Sequence, residues 1–220
     1  MLNRQLAQLF DCNRSSDVEH TELFIVEGAS AAAAVDRLRD RRGQAVLAMQ
    51  GKPLNAFKAG EEKVRRNRFL GGVIQALGSD IGLKCCLSSA RYDRVFLLCD
   101  QDADGIHCAT LLLLFFYRWQ RPWLEAGKLF MVRPPLMQLV SSHLPSPSLA
   151  YSEEEGQAMI AALAARGLRD ISKQRFRGLA SLPPATLLAT CIHPATRRSE
   201  AMTIRDAQDC LTLLGLSETG

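Results

Sequence analysis

Residues 94–105, Arg-Val-Phe-Leu-Leu-Cys-Asp-Gln-Asp-Ala-Asp-Gly, join a short apolar run to three alternating aspartates. The run at 94–99 has the length and composition of a central, buried strand. Asp100, Asp102 and Asp104 follow it directly, and residues two apart in an extended chain point to the same side. Carboxylates directed at one place repel one another, and a hard divalent cation such as Mg²⁺, which prefers oxygen ligands, removes that repulsion. The segment therefore predicts a buried strand that ends in a metal-binding cluster.

Two other structures begin with the same pattern. A calcium-binding loop also begins Asp-x-Asp-x-Asp-Gly, but it needs a glutamate at its twelfth position, which is Leu111 here. An EF-hand is thereby excluded. A solvated turn combined with a helix cap is the other alternative, and the sequence leaves it open.

Strands and helices alternate along the chain. Strands are predicted at 23–26, 44–49, 94–99 and 128–132. Helices are predicted at 29–41, 56–68, 106–120, 153–166, 183–190 and 204–214, with 73–77 as the continuation of a helix. This order predicts an α/β fold in which a mostly parallel sheet is flanked by helices. Sites in such sheets lie beyond the carboxyl ends of the strands, so Glu27 is expected beside the aspartates.

The chain is predicted to have three parts. Residues 1–21 form a lead-in, residues 22–140 the sheet domain, and residues 141–220 a small, mainly helical C-terminal tail region. The Ser- and Pro-rich segment 141–147 is interpreted as a linker or hairpin between the last two parts. A length of 220 residues, 47% of them hydrophobic, is enough for one core or for one core with a small satellite.

The net charge of +4 is mild, and its distribution is more informative. Basic residues cluster at 37–42, 63–68, 173–177 and 197–198, away from the acidic centre. Basic clusters around a compact acidic centre suit a protein that holds phosphates near a metal. For any single cluster, a solvated helix face explains the charges equally well.

The cysteines and the apolar runs indicate the cellular compartment of the protein. The seven cysteines include no C-x-x-C pair, which argues against a disulfide framework or a zinc site and favours a reducing compartment. The N-terminus shows no apolar signal region, and the longest apolar run, 111–117, is far too short to cross a bilayer. We therefore predict a soluble, cytoplasmic protein that does not contact a membrane.

Five blocks of sequence resemble one known family in their order and rough spacing. They are Glu-Leu-Phe-Ile-Val-Glu-Gly-Ala-Ser-Ala (22–31), Gln-Gly-Lys-Pro-Leu-Asn (50–55), Asp-Gln-Asp-Ala-Asp-Gly-Ile-His (100–107), Arg-Pro-Pro-Leu (133–136) and Gln-Arg-Phe-Arg-Gly-Leu (174–179). From about residue 9 to residue 214, the chain is similar to the Toprim-containing C-terminal half of the bacterial type IIA DNA topoisomerase B-subunit, of gyrase and topoisomerase IV. The resemblance implies a Toprim fold, which is a Rossmann-like α/β arrangement.

The resemblance also implies roles for the acidic residues. Glu27, Asp100 and Asp102 are expected to be the catalytic carboxylates and to hold Mg²⁺, for which Mn²⁺ can substitute. Asp104 is expected at a second metal position or in its outer shell. The cation would stabilise charge on a DNA phosphate and on the leaving 3′ oxygen while a partner's tyrosine attacks. Glu27 is a candidate general acid or base toward that oxygen.

Four further residues are expected to bind DNA. Lys52, Arg175 and Arg177 are assigned to contacts with backbone phosphates, which give salt-dependent affinity without sequence preference. His107 matches a family histidine near the metal. A surface lysine is the alternative for Lys52, and simple packing at a helix start is the alternative for His107.

The chain departs from the family in three respects. The family's E-G-D-S-A-G-G is Glu-Gly-Ala-Ser-Ala-Ala-Ala at 27–33, and K-G-L-G-E-M is Arg-Gly-Leu-Ala-Ser-Leu at 177–182, so each block loses one acid and at least one glycine. No glycine loop that could cradle phosphates is present, and we expect no ATP site and no ATPase domain in this short chain. None of its three tyrosines lies in a recognisable nucleophile motif.

Three functions are consistent with these features. The first is a metal-dependent DNA cleavage and rejoining module that needs an A-type topoisomerase subunit for its tyrosine. The second is a truncated B-subunit mimic that binds such an A-subunit and modulates or inhibits it. The third is a stand-alone Toprim nuclease or nickase that uses water as its nucleophile. DNA and an A-type subunit are the expected partners, and a homodimer is left open.

Overall fold

The protein, described by a computed structural model over residues 9–217, contains two β-sheets. The main sheet consists of β1 (Leu9–Phe10), β2 (Glu22–Glu27), β3 (Gln44–Met49), β4 (Arg94–Leu98), β5 (Leu129–Val132) and β9 (Ser199–Ala201). The small sheet consists of β6 (Met137–Val140), β7 (Ser148–Ala150) and β8 (Ser172–Arg175). The predicted lead-in lies partly outside the described residues, and its part at 9–10 forms β1.

The main sheet has the order β1-β3-β2-β4-β5-β9. Its four central strands are parallel, and the two short edge strands run antiparallel to them. Strands β2 and β3 are buried almost throughout, as expected of parallel strands covered on both faces. The structure therefore confirms the predicted α/β fold with a mostly parallel sheet. Because the central strands are parallel, their carboxyl ends meet at one edge of the sheet.

Helices flank the two sheets. They are α1 (Ala29–Leu38), α2 (Glu61–Arg66), α3 (Arg68–Leu77), α4 (Ala103–Trp119), α5 (Pro122–Glu125), α6 (Glu153–Ala165), α7 (Pro184–Leu187) and α8 (Ile204–Leu213). A π-helical turn, Leu188–Ile192, continues α7. No helix within residues 9–217 is long and apolar enough to cross a membrane.

Two of the helices that precede β4 have boundaries other than those predicted, for identifiable reasons. The helix predicted at 56–68 begins only at Glu61 and ends at Arg66, because Asn67 leaves the helical conformation and caps α3 by accepting a hydrogen bond from the Leu70 amide (2.9 Å). The helix predicted to reach residue 41 ends at Leu38. Arg39 is extended, and its buried guanidinium donates to the carbonyl of Gln44 instead.

Alternation along the strands divides the core between the two faces of the main sheet. In β2, Leu23 and Ile25 pack on the face that α3, α4 and α8 cover. Phe24 and Val26 pack on the opposite face, against α1 and α7. Successive strand residues point to opposite faces, so one apolar run supplies both halves of the core.

The tail region returns to the main sheet. After the small sheet, β9 pairs with β5, and α8 packs on α4. Arg197 places both guanidinium nitrogens on the buried Glu22 carboxylate, at 2.6 and 2.7 Å, and lies 3.8 Å from the centre of the Phe96 ring. The Arg197 side chain is only 4% exposed, so it is a structural cation and is not available to a phosphate. The domain boundary at residue 140 stays a prediction.

Candidate metal and DNA site

Glu27 ends β2 at the carboxyl edge of the sheet. Its carboxylate accepts a hydrogen bond from the Asp100 amide (3.3 Å), which ties the ends of β2 and β4 together. Gly28 follows with a φ of +83° and donates its amide to the carbonyl of Met49 (2.8 Å). This backbone conformation favours glycine, and it turns the chain directly from the strand into α1.

Asp102 caps α4, the helix that follows β4. Its Oδ1 accepts a hydrogen bond from the Gly105 amide (2.8 Å), so the helix begins at Ala103 and not at residue 106, where we predicted it. A Cβ on Gly105 would lie 2.2 Å from the carbonyl oxygen of Asp100, so only glycine allows this close approach. Asp102 is therefore a helix cap, as one of the two sequence interpretations proposed. It nevertheless lies close to the other carboxylates.

Glu27, Asp100 and Asp102 form the acidic centre of this edge. Burial, together with the nearby charges of Asp100 and Asp102, raises the pKa of Glu27 above its ordinary value. Burial, together with the charge of Asp102, likewise raises the pKa of Asp100. Carboxylates with raised pKa values in a cleft are typical of functional sites, and a bound cation would relieve the repulsion between neighbouring carboxylates.

The oxygen donors of the acidic centre suit Mg²⁺ in their chemistry. Within residues 9–217, however, no group of three or more His, Cys, Asp or Glu side chains is arranged so that it could hold a metal ion. Glu27, Asp100 and Asp102 lie at one edge of the sheet, but their carboxylates do not form such a group. The predicted metal ligands therefore suit the ion in their donor chemistry, and their coordination of it stays a proposal.

Asp104 has a different environment. Its Oδ1 lies 2.7 Å from the Nζ of Lys52, and the two side chains are 70% and 54% exposed. The hydrogen bond from Lys52, followed by its charge, lowers the pKa of Asp104. The structure thus brings the predicted DNA-binding lysine onto the third aspartate. His107 is exposed in the first turn of α4, close enough for its charge to contribute to the lowered pKa of Asp104.

The segment Gly178–Leu179 contacts Asp100 directly. The Leu179 amide donates to Asp100 Oδ1 (2.8 Å), and a Cβ on Gly178 would lie 2.6 Å from Asp100 Oδ2. Gly178 has a φ of +142° and a ψ of 171°, a conformation that is essentially reserved for glycine. We missed this contact in the sequence, where we assigned the block 174–179 to its arginines. The signal was the glycine between Arg177 and Leu179.

The cations of β8 are held by a carboxylate of the same chain. All four residues of β8 are exposed. Glu153, in the first turn of α6, accepts from Lys173 Nζ (2.7 Å) and also pairs with the guanidinium of Arg175. Arg175 lines the same groove as Asp100 and Asp102, but its charge is shared with Glu153.

A groove connects the acidic centre with the small sheet. Its volume is about 450 Å³. Asp100 and Asp102 line one part of it, Arg175 and Arg177 another, and Pro134, Pro135, Leu136 and Phe176 form an apolar wall. A second hollow of about 350 Å³ is lined by Glu27, Asp100, Arg177 and the start of α1. Arg177 and Asp100 border both hollows, so cations and carboxylates face the same space.

Cys108 is a further residue that we missed. It is buried one turn after Asp104, and burial, together with the charge of Glu27 and a hydrogen bond to it, raises the pKa of the Cys108 thiol to about 11. The thiol is therefore neutral at pH 7 and supports the Glu27 carboxylate as a weak donor. Its position four residues after Asp104, which puts the two residues on the same helix face, was the signal in the sequence that Cys108 lies near the acidic residues.

Comparison with known proteins agrees with this arrangement. The family model described as the Toprim domain matches residues 22–134. The chain is similar to the DNA gyrase B-subunits of three organisms: it is 38% identical to that of Archaeoglobus fulgidus over 91% of the chain, 38% to that of Thermotoga maritima over 92%, and 37% to that of Thermus thermophilus over 94%. It spans 30%, 31% and 32% of their lengths, respectively. The parallel sheet, the glutamate that ends β2, the aspartates after β4 and the matching family model agree. Together with the similarity to the Toprim-containing region of the DNA gyrase B-subunit, they show that this chain belongs to the Toprim domain family.

Proposed function

We propose that this chain is a Mg²⁺-dependent module for DNA cleavage and rejoining, and that an A-type topoisomerase subunit supplies the tyrosine nucleophile. The observation that carries the proposal is the acidic centre, in which Glu27 and Asp100 stand side by side with raised pKa values. The similarity to DNA gyrase B-subunits supports the same reaction.

Glu27, Asp100 and Asp102 would hold the cation, with Asp104 at a second position or in its outer shell. The cation, Mg²⁺ or Mn²⁺, would supply stabilisation for the charge that builds on the phosphate and on the leaving 3′ oxygen. A side-chain adjustment would be needed, because the carboxylates do not converge in the part of the chain that the structure describes.

The chain's own residues hold this arrangement in place. The Leu179 amide orients the Asp100 carboxylate, and the Asp100 amide orients that of Glu27. The raised pKa of Glu27 suits a group that protonates the leaving 3′ oxygen and takes the proton back on rejoining. In this proposal, Glu27 is the general acid and base, and Gly178–Leu179 is the segment that positions the carboxylates.

DNA would bind across the groove through its phosphates. Lys52, Arg175 and Arg177 are the proposed contacts, with His107 beside them at the start of α4. Contacts of this kind neutralise phosphates and release counterions, so affinity should fall steeply with salt and should depend little on sequence.

Plasmid cleavage tests the proposal. Supercoiled plasmid is incubated with the full chain and Mg²⁺ or Mn²⁺, with and without an A-type subunit. Asp102→Asn is the informative variant, because asparagine caps a helix as well as aspartate does but removes the charge. Asp209→Asn, at an exposed position of α8, is the matched control.

Cleavage that requires both the metal and the A-subunit, that is lost in Asp102→Asn and that persists in Asp209→Asn supports the proposal. Cleavage by the chain alone, with no covalent protein–DNA adduct, would replace it with a stand-alone nuclease. A chain that binds neither Mg²⁺ nor Mn²⁺ by calorimetry would refute the metal-dependent reaction.

Two observations favour a second candidate, a B-subunit mimic that binds an A-subunit and modulates or inhibits it. The carboxylates do not form a three-ligand group within residues 9–217, and Ala29 stands where the family pattern has an acid. A mimic should co-elute with an A-type subunit, and Asp102→Asn should leave its effect on that subunit unchanged. Failure to co-elute would exclude this candidate.

A further inference from the structure

A third hollow, of about 190 Å³, lies between the end of β3 and the start of α3. Its polar lining consists of Gln50, Lys52, Asn67 and Arg68. None of the described residues that line it is acidic, so the two cations face no carboxylate across the hollow. Pockets for drug-sized ligands have volumes of about 300–1,000 Å³, so this smaller hollow suits a single small anionic group.

Arg68 is an exposed cation that the fold itself does not use. It forms no ion pair within residues 9–217, and the two acids of the preceding helix, α2, pair with Arg65 and Arg66 instead. Arg68 is also the first residue of α3, whose first turn contains no acid. A cation at the N-terminus of a helix opposes the helix dipole, so helix stability does not explain its position. Arg68 is therefore available to an anion from outside the chain.

Gly72 keeps part of this hollow open. It lies within α3 and lines the hollow, although glycine in a helix is less favourable than alanine. A Cβ at this position would meet no protein atom within 4 Å, so packing does not require glycine here. A Cβ on the neighbouring Gly71, by contrast, would lie 2.6 Å from the carbonyl oxygen of Arg65. The space that Gly72 leaves is thus the remaining explanation for it.

We propose that the third hollow is a phosphate subsite, which holds a backbone phosphate of DNA through Arg68 and Lys52. The inference rests on the proposed DNA binding and adds Arg68 to its contacts. Lys52 links the hollow to the carboxyl edge of the sheet, because its Nζ also lies 2.7 Å from Asp104 Oδ1. Both side chains of that pair are more than half exposed, and such pairs are weak, so Lys52 can exchange the carboxylate for a phosphate.

Binding of two phosphate sources to the full chain tests the inference. Fluorescence anisotropy gives the affinity for a short duplex of mixed sequence at several salt concentrations, and calorimetry gives the affinity for free pyrophosphate, both without divalent ions. The variants are Arg68→Gln, Gly72→Ala and Lys58→Gln. Lys58 is an exposed lysine in the connection between β3 and α2 that does not line the hollow, so it controls for the loss of one positive charge.

Arg68→Gln should lower DNA affinity roughly two- to fivefold, the range for one exposed ion pair. The affinity should also fall less steeply with salt, by about one phosphate contact. Gly72→Ala should raise the melting temperature, because alanine favours the helix, and should nevertheless lower DNA affinity, because its methyl group enters the hollow. A loss of binding in a more stable variant cannot come from unfolding. Lys58→Gln should keep the salt dependence of the wild type.

Different outcomes separate this inference from the proposed function. If the wild type binds DNA and Arg68→Gln binds it equally well, or loses no more than Lys58→Gln, the inference is overturned and the proposed function stands. Unchanged DNA affinity in Gly72→Ala would likewise overturn the hollow as the place of binding. If Arg68→Gln loses pyrophosphate but not DNA, the subsite takes free phosphates and its assignment to DNA is overturned. If the wild type binds neither, both the inference and the proposed DNA binding are overturned.

Discussion

Replacing Gly178 with alanine should uncouple Asp100 from the segment that positions it. The glycine lies at φ +142° and ψ 171°, and the new Cβ would lie 2.6 Å from Asp100 Oδ2. The carboxylate or the segment must therefore move. Either movement breaks the 2.8 Å hydrogen bond from the Leu179 amide to Asp100.

The magnitude follows from two contributions. Holding a residue other than glycine in this backbone region costs about 1–3 kcal/mol. A hydrogen bond to a charged group contributes about 1.5–3 kcal/mol. The two are coupled through one segment and do not add fully, so Gly178→Ala should lower the free energy of unfolding by roughly 2–4 kcal/mol.

Gly167→Ala provides the matched control. Gly167 also has a positive φ (+89°), but a Cβ there would meet no atom within 4 Å. It should lower the free energy of unfolding by only about 1 kcal/mol and should leave Mn²⁺ affinity unchanged. Urea unfolding gives the stabilities, and calorimetry gives the Mn²⁺ affinities. If Gly178→Ala matched Gly167→Ala in both measurements, the proposed positioning role of the Gly178 segment would be refuted.

Three further predictions concern charge. Glu153→Gln should release the two cations of β8 and raise DNA affinity roughly two- to fivefold. The affinity for DNA should also fall more steeply with salt, by about one phosphate contact. Glu154→Gln, in the same turn, should change neither the affinity nor its salt dependence in a filter-binding titration. Arg197→Met should lower the free energy of unfolding by about 3–5 kcal/mol, because Glu22 is left charged and buried. Adding Glu22→Gln should recover most of this loss, as measured by urea unfolding. If the double variant showed no recovery, this explanation would be contradicted. Burial raises the pKa of Glu27, so the folded protein binds the Glu27 proton more tightly than the unfolded chain does. The protonated Glu27 therefore stabilises the fold below the ordinary pKa of 4.5, and this stabilisation declines as the pH rises through the raised pKa. In the absence of metal, Glu27→Gln should remove this decline and raise the melting temperature at pH 7. In a separate titration, the variant should no longer bind Mn²⁺. If its melting temperature depended on pH as the wild type's does, Glu27 would not be the group responsible.

The sequence predicted the fold and the place of the site for a physical reason. Apolar runs of strand length alternate with helical patterns, and that order permits few arrangements other than a parallel sheet covered on both faces. Neighbouring parallel strands end at one edge, so Glu27 at the end of β2 and Asp100 after β4 had to lie near each other. The helix ends were less predictable, because they depend on caps such as Asp102 and Asn67.

The sequence also predicted the types of residue at the site, whereas tertiary structure alone decided their partners. Asp100 receives the amide of Leu179 from a segment 79 residues away. Lys52 meets Asp104, and Arg175 meets Glu153, although each had been expected at a phosphate. Local patterns fix the type and the period of an element, because these depend on neighbouring residues. Which distant carboxylate a flexible cation pairs with depends on how the loops and the small sheet pack, and only the folded chain determines that packing.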